Sequence, residues 1–247
     1  MTAGKTLSLT GLASGTTVNL LSEVTFGVQH WAGPLFEIGT SSSTGTFIFN
    51  GDGKTLNRQG ASYWDGKGTS GGVTKPHPMV HITNAGGSFK NVTVLNSPAH
   101  AISVSNTAPI TITGVTSVGM SLACNTDCFD VAASSVTITG NACRNQDDCM
   151  AVNAGSNIKL LSNTCTGGHG ISIGSIASGS KVNKNMISGN NVTDSMYGLR
   201  IKTVYGATNA SVADVIYSGN RVSGITYQGV AIEQDYKVRV TMFMCIR

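Results

Sequence analysis

The sequence predicts an all-β chain wound into a parallel β-helix, and three observations carry that expectation. Short runs of alternating apolar and polar residues recur along the chain, as in Val136-Thr137-Ile138, with the period of a half-buried strand. From residue 89 these runs repeat in units whose second strands are anchored at Ile102, Phe129, Met150, Ile171, Leu199 and Val230, spaced 27, 21, 21, 28 and 31 residues apart. No segment of useful length has helical periodicity, so a drifting period of this size excludes leucine-rich and helical repeats and leaves stacked β-coils.

Taken in order, residues 5–60 give Lys5-Thr6-Leu7-Ser8-Leu9, Thr17-Val18-Asn19-Leu20 and Thr46-Phe47-Ile48-Phe49, punctuated by Gly and Ser, and read as strands and turns. Residues 61–80, with Tyr63-Trp64-Asp65-Gly66-Lys67-Gly68 and Lys75-Pro76-His77-Pro78, read as a loop. Each later unit opens on an alternating strand: Val92-Thr93-Val94, Ile110-Thr111-Ile112, Val136-Thr137-Ile138, Ile158-Lys159-Leu160, Asn185-Met186-Ile187 and Val215-Ile216-Tyr217. Four units then turn at a small residue plus Asn: Gly140-Asn141, Ser162-Asn163, Gly189-Asn190 and Gly219-Asn220.

Composition narrows the function classes. Of 247 residues, 11% are charged, and the net charge of +4 is scattered without a basic stripe interleaved with aromatics, which argues against nucleic acid. A mildly basic surface suits an acidic polymer. No apolar run approaches the roughly 20 residues of a membrane helix. Six cysteines and three Asn-x-Ser/Thr sequons, at Asn91, Asn191 and Asn209, point to a secreted protein. Met1-Thr2-Ala3-Gly4-Lys5 is not a signal peptide, so a secreted parent is expected to have lost its leader.

Stacked coils align equivalent positions about 4.8 Å apart along the rod. Asp127, Asp148 and His169 each lie two residues before an anchor, with Asp147 one further back, and Arg200 and Lys202 follow anchor Leu199 by one and three. Singly, each is ordinary: a turn pair of carboxylates, a lone imidazole, a solvated strand face. Four consecutive coils that put them in register argue for a groove. Arg200 and Lys202 alternate with Leu199 and Ile201, so the charges are expected to face outward. Three carboxylates, an imidazole, a guanidinium and an ammonium supply acid–base chemistry for an anionic sugar. Ca²⁺ would need more oxygen ligands than these, and no metal or cofactor is expected.

At these residues the sequence resembles the polygalacturonases of glycoside hydrolase family 28. Asn125-Thr126-Asp127, Gln146-Asp147-Asp148, Gly168-His169-Gly170 and Arg200-Ile201-Lys202 occur in the family's order, and Trp31-Ala32-Gly33-Pro34-Leu35, Trp64-Asp65-Gly66-Lys67-Gly68 and Gln234-Asp235-Tyr236 are also family-like. The resemblance implies a right-handed parallel β-helix, an endo-acting secreted monomer that hydrolyses α-1,4 bonds of polygalacturonate with inversion. It implies Asp147 as general acid, Asp127 and Asp148 activating the water, and His169 supporting the acid's protonation. Arg200 and Lys202 would grip substrate carboxylates and Tyr236 would help bind. Crowded carboxylates separate an acid from a base, and inversion requires them about 6.5–9.5 Å apart. The alternatives are a rhamnogalacturonan hydrolase, a pectate lyase that would need Ca²⁺, and a catalytically inactive pectin-binding or decoy fragment.

The family pairs the equivalents of Cys149 and Cys165. By coil register Cys128 matches Cys149 and Cys143 matches Cys165, so a second bridge, Cys128–Cys143, is expected one coil earlier; the pairing of Cys124 and Cys245 is left open. The resemblance is read as one catalytic domain over residues 1–236, with 237–247 an atypical tail and the helix incomplete at that end, so that the last coil exposes apolar surface.

Overall fold

A computed structural model of the chain describes residues 1–119 and 123–237. The chain winds through strands that pair only in parallel, each with the equivalent strand one coil away, and three strands make a full coil. One face runs from Leu7–Leu12 through Phe36–Thr40, Val80–Thr83, Ile102–Ser105, Phe129–Ala132, Met150–Ser156, Ile171–Ile176 and Tyr197–Val204 to Gln228–Tyr236. All six expected anchors stand in one register on it: Ile102 opposite Phe129, then Met150, Ile171, Leu199 and Val230.

Alternation explains why these sequences take these positions. In Ile110–Thr113 and Val136–Thr139 the β-branched apolar residues point inward and the threonines outward. Inward residues of successive coils stack into one continuous core, in which Ile102, Val104, Phe129, Val131, Met150, Val152, Ile171 and Ile173 are completely buried. Burying each of these side chains contributes about 1.5–3 kcal/mol.

One expected element moves. Val92-Thr93-Val94 was grouped with Ile110-Thr111-Ile112, but it lies on a different face. The strand Thr93–Leu95 pairs with Thr116–Val118, while Ile110 sits opposite Gly87 in Gly86–Lys90. Gly86-Gly87-Ser88 lacks the β-branched residues that signal a strand, so the local pattern favours the run after the corner.

The corner itself follows from the small residue before each Asn. Gly140, Ser162, Gly189 and Gly219 all have positive φ, between 52° and 66°, which glycine adopts without strain and serine tolerates. The Asn that follows turns inward and builds a ladder. Asn163 Oδ1 accepts from Asn141 N and Nδ2 at 3.0 Å, and Asn163 Nδ2 donates to Ile138 O at 3.0 Å and Asn190 Oδ1 at 2.9 Å. Asn190 repeats the pattern with Asn220. Buried corner amides are thereby satisfied without water.

Both expected disulfides form. Cys128–Cys143 has Cα atoms 6.2 Å apart and Cys149–Cys165 5.8 Å, and Cys143 and Cys165 are register partners in adjacent coils. The three sequon asparagines are exposed, as glycan acceptors must be. The last described coil is exposed as well: Val230 and Ile232 are 69% and 71% accessible. Cys245 and all but the first residue of the 237–247 tail lie outside the described residues. No helix of the described chain is long and apolar enough to cross a membrane.

Candidate active site

The sequence-predicted residues converge on the bends that enter the Ile102-to-Val230 face. Asp127 and Asp148 occupy equivalent places in adjacent coils, tied by Cys128 N donating to Asp148 O at 3.0 Å, and His169 N donates to Asp147 O at 2.9 Å. Each bend is fixed from behind by the half-cystine that follows it, Cys128 after Asp127 and Cys149 after Asp148. Asn145 Nδ2 holds the second bend through the carbonyls of Thr126, Asp147 and Asp148. Gly168 and Gly170 are required sterically: with φ of 67° and 75°, a Cβ there would strike the Asp147 carbonyl or those of Tyr197 and Gly198.

Asp147 is the best-partnered carboxylate. Its Oδ1 lies 2.9 Å from His169 Nδ1 and accepts from Asp148 N at 2.8 Å, while its Oδ2 accepts from Asn125 Nδ2 at 3.0 Å. Asn125 is set by the 61–80 loop, because its Oδ1 accepts from Thr69 N at 3.0 Å. That loop is closed by the Lys75–Asp65 ion pair at 2.8 Å. Asp148 accepts from Lys202 Nζ and Ser172 Oγ, each at 2.7 Å.

These environments drive the carboxyl groups apart. Burial pushes Asp127 far above the ordinary carboxylate range, and the charges of Asp147, Asp130 and Asp148 push it further. Burial acts on Asp147 in the same direction, but the His169 hydrogen bond and charge, with Lys202, outweigh it and hold Asp147 below that range. His169 is raised: burial lowers it, and the Asp147 hydrogen bond and the charges of Asp147 and Asp148 overcome that. These opposite shifts make Asp127 the carboxyl that most favours its protonated form, and make imidazolium and carboxylate the favoured forms of the His169–Asp147 pair.

Arg200 and Lys202 depart from expectation. They alternate with Leu199 and Ile201, yet they are 5% and 6% exposed rather than solvated, because neighbouring coils cover them. Lys202 is committed to Asp148. Arg200 donates from Nε to Glu233 Oε2 at 2.7 Å, with its guanidinium 4.0 Å from the centre of the Tyr197 ring and 5.0 Å from that of Tyr236. Tyr236 also lies 5.5 Å from the Lys202 ammonium. Such contacts hold the cation flat against the rings. Sequence reasoning missed Glu233, Tyr197, Ser172, Asn145 and His100. Glu233 was detectable, since its spacing makes it the register partner of Lys202.

A parallel β-helix whose bends gather three carboxylates and an imidazole beside a buried strand ammonium has the groups that acid–base cleavage of a glycosidic bond requires. The profile of "Glycosyl hydrolases family 28" matches residues 1–242, six residues beyond Tyr236, and the chain belongs to that family. It is 46% identical over 242 residues to an endo-polygalacturonase of Sclerotinia sclerotiorum and 43% identical over 242 residues to a polygalacturonase of Penicillium griseoroseum. Each match covers 95% of this chain and 63% of the relative, so the chain spans just under two thirds of their length. Among solved structures, endopolygalacturonase I from Stereum purpureum, complexed with two galacturonates, superposes with a TM-score of 0.88 at 46% identity. That match covers 95% of this chain and 71% of that one. The polygalacturonase of Erwinia carotovora shares the fold at 22% identity, with a TM-score of 0.68 over 95% of this chain and 70% of that one.

Proposed function

We propose that the chain hydrolyses α-1,4-galacturonosyl bonds of polygalacturonate, within the polymer and with inversion, as a secreted monomer. The observation that carries this reading is the Asp147–His169 contact at 2.9 Å beside the Lys202–Asp148 pair. It supports a general acid and a water-activating carboxylate in one cluster. Moving the shared proton from His169 Nδ1 to Asp147 Oδ1 leaves a neutral imidazole and a carboxylic acid able to protonate the leaving oxygen. Asp148, its charge matched by Lys202, and Asp127 would activate the water. A carboxylate oxygen of Asp148 lies within 4.8 Å of one of Asp147, closer than the roughly 6.5–9.5 Å expected for inversion, so the water would be seated in a tighter space than that spacing gives. Burial and the neighbouring carboxylates favour protonated Asp127, so it shares in accepting a proton only in its ionised form. Arg200, Lys202 and Tyr236 are assigned to the substrate's carboxylates; Arg200 would engage one by exchanging or sharing its Glu233 contact. The named activities of the relatives support the substrate class.

The test is reducing-end release from polygalacturonate in EDTA, with NMR of the first product. The expected result is release that survives EDTA, a mixture of oligosaccharides, and a β anomer from the α linkage. Asp147→Asn should abolish most turnover while leaving substrate binding. Retained configuration would overturn the inverting assignment, and loss of activity in EDTA would favour a lyase.

A further inference from the structure

A second titratable cluster shares Asp127 with the first, and its other two members, His100 and Asp130, have no role in the chemistry above. His100, on the segment before Ile102–Ser105, points its two ring nitrogens at two carboxylates: Nε2 is 3.8 Å from Asp127 Oδ1 and Nδ1 is 3.6 Å from Asp130 Oδ2. Neither distance is a hydrogen bond. Both oxygens are fully covered and find no hydrogen-bond partner among the described residues, and Asp127 is 7% exposed. One donor atom from each residue lies within 4.8 Å of the others. Buried carboxylate oxygens without a donor are costly.

We propose that His100, Asp127 and Asp130 form a binding site for a divalent transition-metal ion of the zinc class, and that its occupation reversibly blocks hydrolysis. One imidazole and two carboxylates are a fitting set for such an ion at about 2.0–2.2 Å from each ligand, with a fourth position left to water. One imidazole nitrogen and the two carboxylate oxygens, now within 4.8 Å of one another, would have to draw together around the ion, and the His100 side chain that must turn to do so is 31% exposed. Ca²⁺ and Mg²⁺ want more oxygens than are present. The neighbouring group Asp147, Asp148 and His169 is equally compact. It is the poorer site, because its atoms are already partnered and the Lys202 ammonium sits against it.

Facing His100 are Asp127 and Asp130, the His77 ring edge-on at 5.2 Å, and, behind His77, the Lys75 carbonyl bound to its Nδ1. Asn153 hydrogen-bonds the Asp130 carboxylate. Carboxylate and imidazole ligands bind a cation only in their deprotonated forms, so binding should tighten as pH rises. Inhibition rests on the role proposed for Asp127; binding does not.

The metal-stripped chain is titrated with Co²⁺, followed by its visible absorption and by competition with Zn²⁺, and polygalacturonate hydrolysis is measured in parallel. The wild type and His169→Gln should both bind. His100→Gln and Asp130→Asn should each weaken binding by at least about tenfold, since even outer partners of a metal site can matter that much, and Zn²⁺ inhibition should weaken with them. Absence of a Co²⁺ band at millimolar metal overturns the proposal, as does unchanged affinity in both His100→Gln and Asp130→Asn, or loss of binding in His169→Gln alone. A chain that binds Co²⁺ at His100 but never hydrolyses polygalacturonate would sink the proposed function and leave the metal site standing.

Discussion

Replacing Lys202 by methionine probes the buried charge that organises the cluster. The Lys202 and Asp148 side chains are 8% and 2% exposed, with Nζ and Oδ2 2.7 Å apart. Methionine keeps most of the stem's packing and leaves Asp148 with one side-chain donor, Ser172 Oγ. Removing one partner of a buried pair costs about 3–5 kcal/mol. Asp148→Asn strands the ammonium in turn, whereas Lys202→Met with Asp148→Asn removes both charges. The double variant should therefore lose less than the sum of the singles, by about 2 kcal/mol. Burial lowers the Lys202 pKa, but the charges of Asp148 and Asp147 raise it above its ordinary 10.5. A raised basic group contributes fully below its unfolded value and loses its contribution only as pH rises through the folded one. Lys202 therefore stays charged from pH 5 to pH 8, and its own titration does not change the coupling over that range. Urea unfolding with disulfides intact, followed by fluorescence of Trp31 and Trp64, measures it. A Lys202→Met loss below about 1 kcal/mol, or additive singles, would refute the claim that this pair is a desolvated, mutually dependent unit.

Three further outcomes follow from other parts of the structure. His169 is raised above 6.5, so its pairing stabilises fully below that pH and fades as pH rises through the raised value; thermal unfolding of His169→Gln should lag the wild type at pH 5 and match it well above, and a pH-independent gap would contradict the pairing. The paired change Cys128→Ala with Cys143→Ala opens a bridge spanning 15 residues and should cost about 3 kcal/mol of stability on the chain-entropy account, read by urea unfolding against the intact bridge. Asn163→Ala removes four hydrogen bonds and takes from the buried Asn141 N–H its Asn163 acceptor; at about 1 kcal/mol per bond this should lower stability by about 3–5 kcal/mol, and hydrogen exchange should speed up at the Asn141 corner.

Much of the fold was legible because a solenoid is local in its logic. Each coil buries its own alternating residues against the next, so Ile102, Phe129, Met150, Ile171, Leu199 and Val230 could be aligned by counting before any contact was known. The corner asparagines and the Cys128–Cys143 bridge were legible for the same reason, since a feature of one coil predicts its neighbour. Where the local signal was weak, counting failed: Gly86-Gly87-Ser88 holds a strand position because its neighbours in adjacent coils impose it, not through its own propensity.

The site divides along a different line. By itself the sequence determined which residues share a register, and so that Asp127, Asp148 and His169 would gather on one edge, because strand spacing and side-chain alternation are fixed by backbone geometry. It did not determine charge state or partnership. That Lys202 is spent on Asp148 and Arg200 on Glu233, that Asp127 is pushed up and Asp147 down in pKa, and that the 61–80 loop reaches across to fix Asn125 were decided only by the tertiary structure. Burial and the distance between charges set those properties, and both arise from how coils and loops pack together, which no spacing along the chain encodes.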